Sequence, residues 1–286
     1  MRWTPGGRSP NLEDRRGAGG GGLRLGRGGA GLGLGGLLLM LVLSFIFGQD
    51  FLSLLSTSET SVPYTRSDPI QDANEEPMVQ FVSFVLDDLQ KTWRQILPAA
   101  GRNYRDAKLV LFRDTVQSGC GFAEAQTGPF YCPADEKVYI DLSFFAELHQ
   151  RFGAPGDFAQ AYVLAHEIGH HVQHVLGIDR QVRRAQDAGV ASANELSVRT
   201  ELQADCLAGV WGHSTAARDI LEKGDVEEGL NAAAAIGDDR LQRMGRGHVS
   251  PETFTHGSSE QRAGWFRRGF ETGDVSACDT FGAGAR

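Results

Sequence analysis

The sequence predicts an α+β protein, a mostly helical domain with a small β-sheet, preceded by one transmembrane helix. Three observations lead there. Apolar residues recur at helical spacing through several runs that carry cap signals at their ends. Only two short stretches read as strands, and residues 28–47 hold no charge.

Those uncharged residues have the length of one bilayer crossing, about 20 residues, and are densely apolar from Leu37 to Phe47. Arginines crowd the preceding flank, so the positive-inside bias predicts a cytoplasmic amino end and an exported remainder. The long basic region, with no small-x-small site directly after Phe47, favours an uncleaved anchor over a signal peptide. The domain reading is therefore a disordered basic tail over 1–27, the anchor over 28–48, a polar linker over 49–74 and an exported domain over 75–286.

Of 28 basic and 36 acidic residues, 1–27 hold six and two, which leaves 22 against 34 downstream. An acidic body argues against a nucleic-acid partner. Cys120, Cys132, Cys206 and Cys278 make an even count in the segment expected outside the cytoplasm, which favours two disulfides. Of three possible pairings, Cys120 with Cys132 closes a short Gly-rich loop, and Cys206 with Cys278 ties the tail to a core helix. No C-x-x-C spacing supports a Cys-ligated zinc.

In chain order, Glu75-Glu76-Pro77 introduces a helix whose apolar ribs run from Val79 to Trp93 and stop at Pro98. KLVLFR at 108–113 and KVYIDL at 137–142 are strands, the second placed to pair with an extended peptide. Asp157 and Gln160 resemble a capping box for a helix over Phe158 to Leu176, and Gly177 is its terminator. Gly169 inside that helix implies close packing or approach to a metal. An irregular charged stretch follows. Ser192 and Glu195 then open a helix to about His213, Asp225 and Glu228 one to about Met244, and Ser258 and Gln261 a last one through Phe270.

The chemistry sits in the first of these helices after the strands. His166-Glu167-Ile168-Gly169-His170 is an H-E-x-x-H pattern. At about 100° per residue the two imidazoles lie one turn apart on one face and can grip a single Zn²⁺, while Glu167 projects beside the ion without binding it. There it can act as general base and then general acid for a metal-activated water. Gln173 and Leu176 stand where a metzincin would need glycine and a third histidine, so the third ligand comes from elsewhere. Glu201 is the candidate because Asp205 follows one turn later and can orient a ligand imidazole. Glu195 is the rival, but Arg199 holds the corresponding supporting position. His256 is the candidate for oxyanion stabilisation, with a structural loop histidine as the alternative; His213 and His248 are the other histidines downstream. His174 reads as a cleft-edge residue, and Asp238, Asp239 and Arg240 as an ion pair between helices.

The segments YIDLSFF (139–145), RFGAPGDFAQAYVLAHEIGHHVQ (151–173), ELQADC (201–206), GDDRLQ (237–242) and FTHGSSEQRAGWFRRGF (254–270) resemble the bacterial neutral zinc metallopeptidase family. The resemblance runs from about Glu75 to Phe281. It implies a membrane-anchored peptidase of zincin type with one Zn²⁺ per chain, acting on a peptide or protein. ELQAD is also similar to the third-ligand segment of gluzincins, in which the Glu binds zinc and the Asp supports it.

The combined expectation is a single-pass protein of the bacterial cell membrane whose exported domain hydrolyses peptide bonds, within chains rather than at their ends. The alternatives are a non-catalytic envelope binding or scaffold protein with a structural zinc site, and a zinc hydrolase for non-peptide amides or esters.

Overall fold

The computed structural model describes residues 1–17 and 69–282. The expected anchor and all of the expected linker before Pro69 lie outside the described residues. Among the described residues no helix is long and apolar enough to cross a membrane. The expected helical α+β architecture is present, with a four-stranded sheet.

The first strand, β1 (Leu12–Asp14), corrects the expectation of a disordered tail over the first 17 residues. It pairs in parallel with β2 (Lys108–Phe112), Leu12 opposite Leu109 and Asp14 opposite Leu111. Averaging composition over 1–27 hid it, because a three-residue strand has no readable period and its stability comes from partners far along the chain. Trp3 packs edge-on against Phe81 at 5.3 Å between ring centroids. Arg16 is buried between Asp14 and Glu75, and Lys137 Nζ donates to Glu13 Oε1 at 2.9 Å.

Helix α1 (Pro69–Ile96) begins earlier than expected, inside the stretch read as linker. Pro69 holds the first helical position, where a missing N–H costs nothing, and Pro77 lies within the helix instead of opening it. Its ribs Val79, Phe81, Val82, Val85, Leu86, Leu89 and Trp93 are all buried. Each contributes roughly 1.5–3 kcal/mol of transfer free energy.

After β2 come the hairpin β3 (Thr115–Ser118) and β4 (Gly121–Glu124), then β5 (Phe130–Cys132) and β6 (Lys137–Asp141). The order across the sheet is β1-β2-β6-β5, with β5 antiparallel to β6 and the other neighbours parallel. The two-residue period splits the faces. Leu109, Leu111, Val138 and Ile140 enter the main core with the helices. Val110, Phe112 and Tyr139 point the other way and pack with Val116 of the hairpin and Cys132. Since β6 is paired on both sides, it has no edge to offer a peptide, contrary to the expectation for KVYIDL; among the described residues the outermost strand on that side is β5. The expected disulfides Cys120–Cys132 and Cys206–Cys278 are both present.

The remaining helices are α2 (Ser143–Gln150), α3 (Asp157–Leu176), α4 (Ile178–Asp187), α5 (Ala193–Ala217), α6 (Asp225–Ala235), α7 (Asp238–Arg246) and α8 (Ser259–Thr272). Three cap readings change. Asp157 does not cap α3; its carboxylate takes the Met1 ammonium at 2.6 Å, and Glu228 reaches across to accept from Phe158 N at 3.2 Å. Asp225 does not cap α6 but accepts from Glu222 N at 2.7 Å. At Ser192 only half of the box forms: the hydroxyl accepts from Glu195 N, while the Glu195 carboxylate pairs with Arg199. The full box forms at Ser258 and Gln261. The stretch after Gly177 is the helix α4, and the helix expected to reach Met244 breaks at Gly237, against which the backbone of Ser259 packs.

Helix α3 is flanked by α1, α5 and α6, and α5 lies along α8. The α5/α8 crossing is set by two glycines. A Cβ at Gly209 would lie 2.1 Å from Phe266 O, and one at Gly269 would lie 1.9 Å from Cys206 O. Backbones that close leave no room for any side chain. Gly269→Ala is expected to lower the unfolding free energy by about 1–3 kcal/mol through overpacking. Gly264→Ala on the same helix, with open space at its Cβ, is expected to raise it by up to about 1 kcal/mol. Denaturant titration of the two variants checks both signs.

Candidate metal centre

Helix α3 carries His166, Glu167 and His170; α5 carries Glu201 and Asp205. The two helices meet where Gly169 faces Ala204, whose carbonyl would lie 2.9 Å from a Cβ at that position. This contact explains the glycine inside an otherwise regular helix. It brings the carboxylate of Glu201 onto the histidine face of α3.

His166 Nε2 lies 3.1 Å from Glu201 Oε2, and His170 Nε2 lies 3.5 Å from Glu201 Oε1. One donor atom from each of the three side chains falls within 4.8 Å of the others. Zinc bonds of ~2.0–2.2 Å at tetrahedral angles place donors about 3.3–3.6 Å apart, and two imidazole nitrogens with one carboxylate oxygen are a zinc-type donor set. The residues therefore fit the ion. Among the described residues no fourth His, Cys, Asp or Glu joins the cluster.

The second nitrogen of each imidazole is held. His166 Nδ1 is 2.8 Å from Asp205 Oδ1, and His170 Nδ1 is 2.9 Å from Gln173 Oε1. Carboxylate and amide oxygens only accept, so Nδ1 carries a proton in both rings, and Nε2, which faces Glu201, is the atom that would give its lone pair to a bound ion once its own proton leaves. Gln173 Nε2 donates to Thr200 O at 2.7 Å and to Gln203 Oε1 at 3.0 Å, and Gln203 Nε2 donates to Cys278 O at 2.9 Å.

Asp205 is fully buried, and the sequence reading missed what holds it there. Arg262 of α8 donates from Nε to Oδ2 at 2.8 Å and from Nη2 to Oδ1 at 3.0 Å, and the Tyr162 hydroxyl of α3 also donates to Oδ1. Arg262 is itself buried at 2% exposure. The available signal was an arginine on the same helix face as Phe266, in the first turn of a capped helix. In the metal-free site, burial disfavours the His166 imidazolium, but the charge and hydrogen bond of Asp205, with Glu201, outweigh it and raise the pKa to about 10. His170 is raised as well: burial opposes its charge and Glu201 favours it. Burial would raise Glu201, yet His170 and His166 hold it well below the usual carboxylate range.

Glu167 is buried at 8% exposure, and its carboxylate makes no hydrogen bond or ion pair among the described residues. Glu195 is turned away, half-exposed and paired with Arg199 at 2.8 Å. His174 is tied by Nδ1 to Asp179 Oδ2 at 2.9 Å, and His171 is fully buried between Tyr131 and the Arg105 carbonyl. Neither histidine joins the three-donor cluster.

His256 stands in the loop before α8 with half its side chain exposed. Asp238 Oδ1 is 3.2 Å from its Nδ1, which raises the imidazole above its ordinary pKa, and the Glu201 charge acts in the same direction. Asp238 Oδ2 also accepts from the backbone N–H of Thr255, His256 and Gly257 at 2.7, 2.6 and 3.1 Å. Among the described residues Arg240 makes no ion pair with Asp238 or Asp239, whose charged partners are His256 and Arg243. Asp239 accepts from Ser259 N, and Arg240 donates to Phe152 O. A hollow of about 690 Å³ is lined by Glu195, Val198, Leu202, Phe254 and Trp265, and none of His166, Glu167, His170, Glu201 or His256 lines it.

"Uncharacterized protein YpfJ" of Escherichia coli K12 is 48% identical over 290 residues, 99% of each chain. "Uncharacterized protein Rv2575" of Mycobacterium tuberculosis H37Rv is 44% identical over 208 residues, 69% of this chain and 68% of that one. No solved structure matches. The family described as "Putative neutral zinc metallopeptidase" matches residues 1–281, and the chain belongs to that family.

Proposed function

We propose that the chain is a zinc-dependent peptidase that cleaves within peptide chains in an oxidising compartment outside the cytoplasm. The observation that carries the reading is the closure of His166, His170 and Glu201 into one donor set with the uncommitted carboxylate of Glu167 beside it. The two disulfides support the compartment.

His166, His170 and Glu201 would hold Zn²⁺. When bound there, the ion would supply Lewis acidity, activating a water at neutral pH and polarising the scissile carbonyl. Glu167 takes the proton from the attacking water and returns it to the leaving amine. His256, oriented by Asp238, presents Nε2 toward the developing oxyanion. Asp205, fixed by Arg262 and Tyr162, holds the His166 ring in its ligand tautomer.

Glu167→Gln is the direct test. The variant is expected to bind one zinc per chain, measured by elemental analysis, while peptide hydrolysis falls by about 10²–10⁴-fold. Unchanged turnover would overturn the assignment. Arg262→Lys keeps the charge but loses the fork. It is expected to weaken zinc by about 10–100-fold in chelator competition without changing the far-UV spectrum.

A third expectation concerns pH. The folded His166 pKa lies above its unfolded value, so its contribution to metal-free stability is complete below about 6.5 and is lost as pH rises toward about 10. Zinc binding needs that proton removed, so zinc affinity should rise about tenfold per pH unit between pH 7 and 9. Buffered-metal titrations measure that slope.

A further inference from the structure

Residues 1–17 are built into the same body as residues 69–282. Leu109 N donates to Asn11 O at 2.9 Å and Arg15 N to Leu111 O at 2.8 Å, so β1 supplies partners to the backbone of β2 on its outer side. Ser9 Oγ donates to Asp87 Oδ1 at 2.6 Å, and Asn11 Nδ2 to Asp106 Oδ2 at 3.0 Å. Arg16 joins Asp14 to Glu75, and Trp3 covers Phe81 and Phe84. The family match includes this segment.

We infer that residues 1–17 and the metal-binding body lie on the same side of any membrane the chain meets. Groups bonded at 2.9 Å cannot sit on opposite faces of a hydrocarbon layer ~30 Å thick. A cytoplasmic amino end with an exported body, the arrangement that the arginine flank predicts, would require β1 to be stripped from β2. That would orphan buried backbone groups on β2, leave Glu75 without Arg16, and uncover Phe81. Two crossings would need two apolar segments of about 20 residues each. The sequence offers uncharged residues from 28 to 49, then Asp50, then only 51–58 before Glu59. Since the disulfides favour an oxidising compartment for the body, residues 1–17 go there with it.

The test uses the full chain in its own membranes. Thr4→Cys and Arg267→Cys each place a thiol at an exposed position, and the four native cysteines are all disulfide-bonded. A membrane-impermeant maleimide is applied to intact cells and then after permeabilisation. Labelling of both positions at the same stage is expected, whether before or after permeabilisation. Labelling of one only before and the other only after would overturn the inference. In the same preparation, a zero-length carbodiimide cross-link should join Glu13 to Lys137, and its absence would count against shared placement.

Discussion

The arrangement depends on one buried carboxylate. Asp205 accepts from His166 of α3, from the Tyr162 hydroxyl one turn earlier on the same helix, and from Arg262 of α8. A charge with no solvent contact is tolerable only when fully paired, since a lone buried carboxylate would cost several kcal/mol or neutralise. Asp205 is paired on both oxygens. The cost of its burial is offset only when α3, α5 and α8 are all in place, so the centre and the helical core assemble together.

The glycines work toward the same end from the backbone side. Gly169 lets α5 approach α3 at the level of the histidines, and Gly209 with Gly269 lets α8 approach α5 at the level of the Asp205 network. Short helix separations bring short, stiff side chains into contact. Two imidazoles and a glutamate can then converge without long, entropically costly reaches.

Much of this was legible in the sequence where local periodicity governs. His166, Glu167 and His170 declare themselves by spacing, and Glu201 with Asp205 by an acid pair one turn apart on an otherwise apolar helix. The Ser258 and Gln261 box and the terminator Gly177 likewise rest on neighbours within one turn. What was not legible depends on distant partners. Arg262 is 57 positions from Asp205, and nothing near it in sequence announces that contact. Asp157 carries the cap pattern yet answers to Met1. The strand at residues 12–14 is too short to show a period, and the glycine- and arginine-rich residues that follow masked it. Tertiary contact overrode local propensity at each of these places.

The chain of amides behind His170 has a direction. A main-chain carbonyl can only accept, so Cys278 O obliges Gln203 to present its NH₂ group there and its oxygen to Gln173. Gln173 must then turn its own oxygen to His170, which places a ring proton on Nδ1 and reserves Nε2 as the atom that would meet a metal. The polarity at the metal-facing atom is thus dictated from a carbonyl near the carboxyl end, a segment stapled to α5 by its disulfide. The tail acts as a proton-bookkeeping device for a ring more than a hundred positions upstream.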